Sequence, residues 1–132
     1  MPYIKRTHTV VAGVPATETL AENGVMWELS VGSPTVYYQV FDYVTRRLLL
    51  SKQMVISTNA DLANGGTVGT YASTVSVTFT QTELDSLVAT DNTDPYTAIT
   101  SKALAKQLYW QIEVVWANGE TKIPIGGLFT KG

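Results

Sequence analysis

The clearest alternation of apolar and polar positions lies near the C-terminus. Its apolar members are Leu108, Trp110, Ile112 and Val114. This period of two is typical of a strand that buries one face. Asn118-Gly119 follows, a dipeptide that favours a two-residue hairpin turn because both central residues need positive φ. Folding the chain there places Val114 opposite Ile123, Ile112 opposite Ile125, and Leu108 opposite Phe129. Apolar side chains meet on one face, so the pattern predicts a hairpin with this register.

Two further features of this hairpin lead to predictions. Pro124 belongs to its other face and cannot donate to a ladder of hydrogen bonds, so we expect the last strand to be an edge strand or to face outward there. Gly126-Gly127 lies opposite Trp110, which indicates a bulge or bend that makes room for the indole.

A second strand is predicted over residues 73–80, with Val75, Val77 and Phe79 facing inward. Thr80 and Glu83 then match a capping box, the signature of a helix start. The apolar side chains that follow fall on one side of a short helix: Leu84, Leu87 and Val88.

Residues 35–43 form a third predicted strand, apolar on both faces. One face carries Val36, Tyr38 and Val40, and the other carries Tyr37, Phe41 and Tyr43. Either a central strand or a strand at a subunit interface explains this pattern. A turn over residues 42–47 leads to a fourth strand over 48–56, whose inward side chains would be Leu48, Leu50, Met54 and Ile56.

The N-terminal third has weaker patterns. Residues 4–11 and 25–31 look extended, and residues 1–16 are expected to form an extended arm or an edge strand. Asn23-Gly24 could close a hairpin, although the register would set Leu20 against Trp27 but Glu18 against Leu29. Polar stretches over 59–72 and 91–103 are expected to be loops.

These elements predict a single domain over residues 1–132. Several short strands with turn signals between them and one short helix point to an all-β fold, an immunoglobulin-like antiparallel β-sandwich. The chain contains no cysteine, so the fold must be stabilised by its core or by assembly with other chains.

The composition and net charge limit the kinds of partner molecule that the chain is expected to bind. Charged residues make up only 15% of the chain, which is typical either of a surface partly covered by neighbouring molecules or of a compact β-domain. The net charge of −2 gives no field that attracts nucleic acid, and we expect neither a nucleic-acid nor a membrane partner. No apolar run is long enough for a signal core or a membrane span, so we expect a soluble protein.

The sequence offers little for catalysis or metal binding. His8 is the only histidine and has no acidic neighbour in sequence, so we expect a surface residue and no enzyme. One histidine and no cysteine are too few ligands for a zinc site, and we expect no cofactor. Two polar clusters could hold calcium but are more typical of turns: Asn59, Asp61 and Asn64, and Asp91, Asn92 and Asp94. The run from Gly65 to Thr70 lacks the lysine of a phosphate loop.

The C-terminal three quarters resemble a known group. The matching segments are Phe41-Asp42, residues 75–79, Thr82-Glu83-Leu84, residues 108–114, Asn118-Gly119-Glu120 and residues 125–130. Together they are similar to the immunoglobulin-like sandwich of tailed-bacteriophage virion proteins, such as the N-terminal domain of baseplate upper proteins. The sequence departs from that group at residues 46–50, where Arg46-Arg47-Leu48-Leu49-Leu50 replaces the usual Asp-Leu-Thr-Gly stretch.

The resemblance implies a structural, non-enzymatic virion protein of the tail, baseplate, neck or capsid. It would assemble with other virion proteins and with copies of itself. The candidate assembly surface consists of Tyr3, Ile4, Tyr37, Phe41 and Tyr43. The alternative is a carbohydrate- or receptor-binding module for a host-surface glycan, with Tyr71 and Tyr96 in its binding loops.

Overall fold

The computed structural model describes residues 4–22, 25–26, 29, 34–59, 72–89 and 107–132. These residues contain ten strands and one helix. In chain order they are β1 (Ile4–Lys5), β2 (His8–Val10), β3 (Ala16–Glu22), β4 (Val25–Met26), β5 (Thr35–Asp42), β6 (Leu48–Gln53), β7 (Val55–Asn59), β8 (Ala72–Val77), α1 (Gln81–Ser86), β9 (Leu108–Val115) and β10 (Thr121–Lys131).

The strands form two sheets that pack as a sandwich, so the predicted all-β fold is confirmed. The larger sheet has the order β1-β10-β9-β5-β6, with β2 also paired to β10, and the smaller has the order β4-β3-β8-β7. The run β10-β9-β5-β6 follows the G-F-C-C′ order of immunoglobulin variable-type sheets, and β3-β8-β7 follows B-E-D. The sandwich is therefore immunoglobulin-like in its strand order.

The predicted C-terminal hairpin forms, and most of its register is correct. Ile125 pairs with Ile112 and Phe129 pairs with Leu108, as the apolar pattern predicts. Near the turn the register differs by one residue, because Lys122, not Ile123, pairs with Val114. The turn is longer than two residues: the Gly119 amide donates to the Trp116 carbonyl at 2.9 Å, and Gly119 has φ of 90°. A bulge between Lys122 and Ile125 restores the predicted alignment.

The bulge also corrects the expectations for Ile123 and Pro124. Ile123 is 40% exposed, whereas Pro124 is buried, which reverses the predicted faces. The last strand is not an edge strand, because β1 and β2 run parallel to it on the side away from β9. The register shift lies before Gly126-Gly127 and not at these glycines, so the predicted position of the bulge is wrong.

The core lies between the sheets and is built from the alternate positions that the sequence predicts. On the larger sheet, fully buried side chains include Val36, Tyr38, Val40, Trp110, Ile112 and Val114. On the opposite side, Leu20, Val75 and Phe79 are equally buried, and α1 contributes Leu84. Each such side chain contributes about 1.5–3 kcal/mol through burial, so this layer is the main source of stability.

Residues 48–56 do not form one strand, as predicted, but two strands in different sheets. β6 pairs with β5 in the larger sheet, and β7 pairs with β8 in the smaller one. Met54 lies between them, is 4% exposed, and its amide donates to the Val36 carbonyl at 2.8 Å. The sequence pattern does not show this passage from one sheet to the other. Its alternation of apolar positions continues through Met54, because Met54 is buried between the sheets.

The N-terminal third is more regular than its pattern indicates. Ala21 pairs with Met26 and Glu22 with Val25, so the hairpin about Asn23-Gly24 has the register considered in the sequence. β5 lies between β9 and β6, which makes it a central strand. The stretches that were expected to be loops, over 59–72 and 91–103, lie almost wholly outside the described residues.

The predicted capping box begins helix α1. The Glu83 amide donates to Thr80 Oγ1 at 3.1 Å, and the Thr80 amide donates to Glu83 Oε1 at 2.9 Å. Lys52 reaches the same carboxylate at 2.7 Å, and this hydrogen bond, with the one from the Thr80 backbone, lowers the pKa of Glu83. The described part of the chain contains no helix that is long and apolar enough to span a membrane.

Candidate functional site

The side of the larger sheet that faces away from the core carries an unusual set of side chains. Three cross-strand pairs of β5 and β9 form it: Tyr37 with Glu113, Gln39 with Gln111, and Phe41 with Tyr109. Because alternate residues of a strand share a face, these six side chains lie together on the surface opposite Tyr38, Val40 and Trp110. We call these six residues the outer face.

Aromatic rings are concentrated at one end of the outer face. The Phe41 and Tyr109 rings stack with centroids 4.8 Å apart and planes 11° apart. Tyr43 meets Tyr109 edge-on at 6.1 Å, and the guanidinium of Arg46 lies 4.8 Å from the Tyr43 centroid and 5.5 Å from the Tyr109 centroid. Such stacked pairs and cation–π contacts hold the rings in one arrangement before any partner binds.

The middle of the outer face is a row of amides. Gln111 Nε2 donates to Gln39 Oε1 at 2.9 Å, and Gln39 Nε2 donates to Glu113 Oε1 at 3.5 Å. Glu113 therefore has a partner on this face. Gln39 is only 9% exposed although it points away from the core, so neighbouring side chains already cover it. The result is a closely packed surface with one charged group.

The opposite side of the sandwich has a different character. The side chains that point outward from β3, β7 and β8 are small and mostly hydroxylic: Thr17, Thr19, Val55, Ser57, Thr74 and Ser76. The described residues of the smaller sheet present no aromatic ring there. Tyrosine, phenylalanine and arginine are enriched where proteins bind one another, and serine is depleted, so the larger sheet offers the better binding surface.

A second cluster fastens the N-terminal segment to both sheets. Both carboxylate oxygens of Glu18 on β3 accept hydrogen bonds from the Arg6 guanidinium, the one to Oε2 measuring 2.8 Å. His8 Nδ1 lies 2.9 Å from the Tyr38 hydroxyl, and His8 Nε2 lies 3.7 Å from Glu18 Oε1. We call Arg6, His8, Glu18 and Tyr38 the N-terminal latch.

His8 is not the surface residue that its sequence context indicates. Its side chain is only 12% exposed, and its ring stacks on Trp110 with centroids 3.7 Å apart. Trp110 stacks in turn on Tyr38 at 5.2 Å, and its indole Nε1 donates to the Arg6 carbonyl at 2.9 Å. Both nitrogens of His8 face protein groups, so the latch holds β2 in place against the core.

Tyr38 shows how strongly the latch is shielded from water. Burial, with a smaller contribution from the Glu18 charge, raises the pKa of the Tyr38 phenol well above its ordinary value of 10.0. The phenol therefore keeps its proton in the folded chain and can donate it to His8 Nδ1.

A Tyr38→Phe substitution tests this shielding. Above about pH 10 the unfolded chain loses the Tyr38 proton while the folded chain keeps it, so wild-type stability falls as pH rises, by up to about 1.4 kcal/mol per pH unit. The variant lacks this loss but also lacks one hydrogen bond, which costs about 1 kcal/mol at neutral pH. In urea titrations from pH 8 to pH 11, the two stabilities should converge as pH rises. A constant gap would contradict the shielding.

The structure brings together three of the predicted assembly residues. Tyr37 and Phe41 belong to the outer face, and Tyr43 extends its aromatic end. Ile4 lies on β1, separated from β5 by β10 and β9. Tyr3, Tyr71 and Tyr96 lie outside the described residues, as do the polar clusters considered for calcium, apart from Asn59.

Two important members of the surface were missed in the sequence. Neither Tyr109 nor Arg46 was predicted from the sequence to belong to a binding surface. The predicted hairpin could have placed Tyr109 on the outer face, because alternate residues of a strand face opposite sides and its neighbours Leu108 and Trp110 face inward. Among the described residues, no group of three acidic or histidine side chains could hold a metal ion.

Comparison of the chain with protein-family models, with curated proteins and with solved structures finds no match.

Proposed function

We propose that this chain is a structural, non-enzymatic virion protein of a tailed bacteriophage that assembles through the outer face. The observation that carries the proposal is the contrast between the two outward surfaces of the sandwich. One is built of preordered rings and amides, and the other of small hydroxylic side chains. The phage context comes from the sequence resemblance described above.

The elements that carry the resemblance support the proposal. Phe41 and Asp42 end β5, residues 75–77 end β8, and residues 82–84 lie within α1. The later segments fall on β9, the following turn and β10. The similar residues thus lie on β5, β8, α1, β9 and β10 of one sandwich, in the chain order expected of the virion domains that the chain resembles.

The outer face also has the energetic features of an assembly surface. Its rings are already fixed by Phe41–Tyr109 stacking and by Arg46, so little side-chain entropy remains to be lost on binding. Its two amides already share a hydrogen bond, so a partner that covers them has fewer donors and acceptors to satisfy. Aromatic and arginine side chains supply most of the binding energy at such surfaces.

A pair of matched charge insertions tests the proposal. Phe41→Glu places a carboxylate on the outer face, and Val55→Glu places one on the smaller sheet, where Val55 is 69% exposed. We expect Phe41→Glu to reduce incorporation into purified virions about tenfold or more, because a buried unpaired charge costs over 1.4 kcal/mol. Val55→Glu should be incorporated like wild type, as measured by quantitative mass spectrometry.

Circular dichroism must show that both variants fold, and Tyr37→Glu at the other end of the outer face serves as a second variant. Absence of the wild-type chain from virions would end the proposal. So would equal incorporation of the Phe41 and Val55 variants.

A further inference from the structure

A cleft of about 530 Å³ lies beside the aromatic end of the outer face. We call it the basic cleft. Lys5 and Arg6 line one part of it, and Tyr43, Arg46, Tyr109 and Leu128 line another. Its size lies within the range of protein sites that hold a small ligand or a few residues of a peptide.

The charge of the basic cleft is opposite to that of the whole chain. The chain carries a net charge of −2, yet the described lining includes three cations and no acidic side chain. Arg6 is held by Glu18, whereas neither Lys5 nor Arg46 forms an ion pair with a described carboxylate. The cleft is therefore suited to an anionic group placed between Lys5 and Arg46.

The backbone of Arg46 provides an independent observation. Arg46 has φ of 62° and is the only non-glycine with positive φ in the described ranges. This left-handed conformation favours glycine or asparagine and costs other residues about 1 kcal/mol. The surrounding turn imposes it, because the Arg46 amide donates to the Asp42 carbonyl at 2.9 Å and the Val44 amide donates to Asp42 Oδ1 at 3.0 Å.

An arginine at a position that favours glycine indicates that its side chain is needed there. The strained turn sets the Arg46 guanidinium over Tyr43 and Tyr109 at the cleft wall. These cation–π contacts leave the N–H groups at the edge of the guanidinium available for a planar anion such as a carboxylate.

The rest of the lining favours a peptide as the source of that carboxylate. Tyr43, Tyr109 and Leu128 offer apolar contacts beside the cations, which suits an acidic residue next to an apolar one. Lys5 belongs to β1, which ends the strand order of its sheet. No described strand pairs with the other edge of β1, so a peptide strand can be added there. Two available cations are too few for a nucleic-acid backbone.

The acidic side chains that the structure describes already contact other groups of the chain. Each described acidic side chain has an internal contact: Glu18 with Arg6, Asp42 with the turn at Val44, Glu83 with Lys52, Asp85 with Gln81, Glu113 with Gln39, and Glu120 with Lys122. The described acidic side chains of a second copy are therefore poorer sources of the carboxylate than a different protein.

We infer that the basic cleft binds an acidic peptide segment of a partner protein, in which a glutamate or aspartate lies beside an apolar residue. The inference rests on the proposed function, since the cleft would let the outer face recognise one particular neighbour. The carboxylate lies between Arg46 and Lys5, and the apolar residue contacts Tyr109 and Leu128.

The test uses a fluorescent, terminally blocked peptide of alternating glutamate and leucine, and the same peptide with glutamine in place of glutamate. In fluorescence anisotropy at about 50 mM salt, the glutamate peptide should bind the full chain about tenfold more tightly than the glutamine peptide. Arg46→Gln should weaken binding of the glutamate peptide about tenfold. Arg47→Gln, which removes the same charge from the neighbouring exposed residue, should change it less than about twofold.

Arg46→Gly separates binding from folding. Because glycine relieves the strained backbone, this variant should melt at the wild-type temperature or higher, yet bind the peptide as weakly as Arg46→Gln. Equal affinity for the two peptides, or equal effects of Arg46→Gln and Arg47→Gln, would overturn the inference. Arg46-dependent binding of a sulfated oligosaccharide without binding of the peptide would overturn it too, by assigning the cleft to a glycan. These outcomes are separate from virion incorporation, which tests the proposed function.

Discussion

Replacing Gly127 by alanine should release the N-terminal strands from the sandwich. A Cβ at this position would lie 2.1 Å from the Arg6 carbonyl oxygen and 2.8 Å from its carbon, both of which are backbone atoms. The Arg6 amide also donates to the Gly126 carbonyl at 2.8 Å, so the two backbones cannot separate without losing this contact. We expect a loss of about 3 kcal/mol or more in urea unfolding, together with faster tryptic cleavage after Lys5 and Arg6.

Gly119→Ala is the matched control for this prediction. Gly119 has φ of 90°, but a Cβ there would meet no atom within 4 Å. The control therefore carries only the backbone penalty of about 1 kcal/mol and should leave tryptic cleavage at the N-terminus unchanged. If the two alanine variants lost equal stability, the close contact between Arg6 and Gly127 would have no energetic importance.

The second large effect is expected at Trp110. Its indole is fully buried, stacks on both His8 and Tyr38, and donates to the Arg6 carbonyl. Trp110→Ala should cost about 3–5 kcal/mol because it leaves a cavity between the sheets. If that chain does not fold, Trp110→Phe provides the measurement: it should cost about 2 kcal/mol, from one lost hydrogen bond and a smaller cavity.

Trp116→Phe is the corresponding control. Trp116 is partly buried at the margin of the core, so its replacement should cost under about 1 kcal/mol. Near-ultraviolet circular dichroism should change strongly for Trp110→Phe and weakly for the control. Similar losses of stability in the two variants would show that the stacked rings do not hold the N-terminal segment.

The sequence was informative wherever one face of a strand carries an uninterrupted apolar pattern. The alternation in β9 identified the buried residues correctly, and the pattern of residues 75–79 did the same for β8. The Thr80–Glu83 capping box predicted the start of α1 because both of its hydrogen bonds are local. Such features depend on residues that are close in sequence.

Features that depend on distant residues were missed. The alternation across residues 48–56 continues through Met54 although the chain changes sheets there. The partners of His8 lie ten and thirty positions away, at Glu18 and Tyr38, and no local pattern indicates them. A charged residue at the inward position of Glu18, between Ala16 and Leu20, was the one signal that the core contains a polar partner.

Site-specific photo-crosslinking within purified virions is the most direct test of the central claim, that the outer face is the assembly surface. A photoreactive phenylalanine derivative replaces Tyr109, and a second chain carries it at Val55 on the smaller sheet. The probe at position 109 should form a covalent link to a neighbouring chain, and the probe at position 55 should not. A link from position 55 without one from position 109 would contradict it.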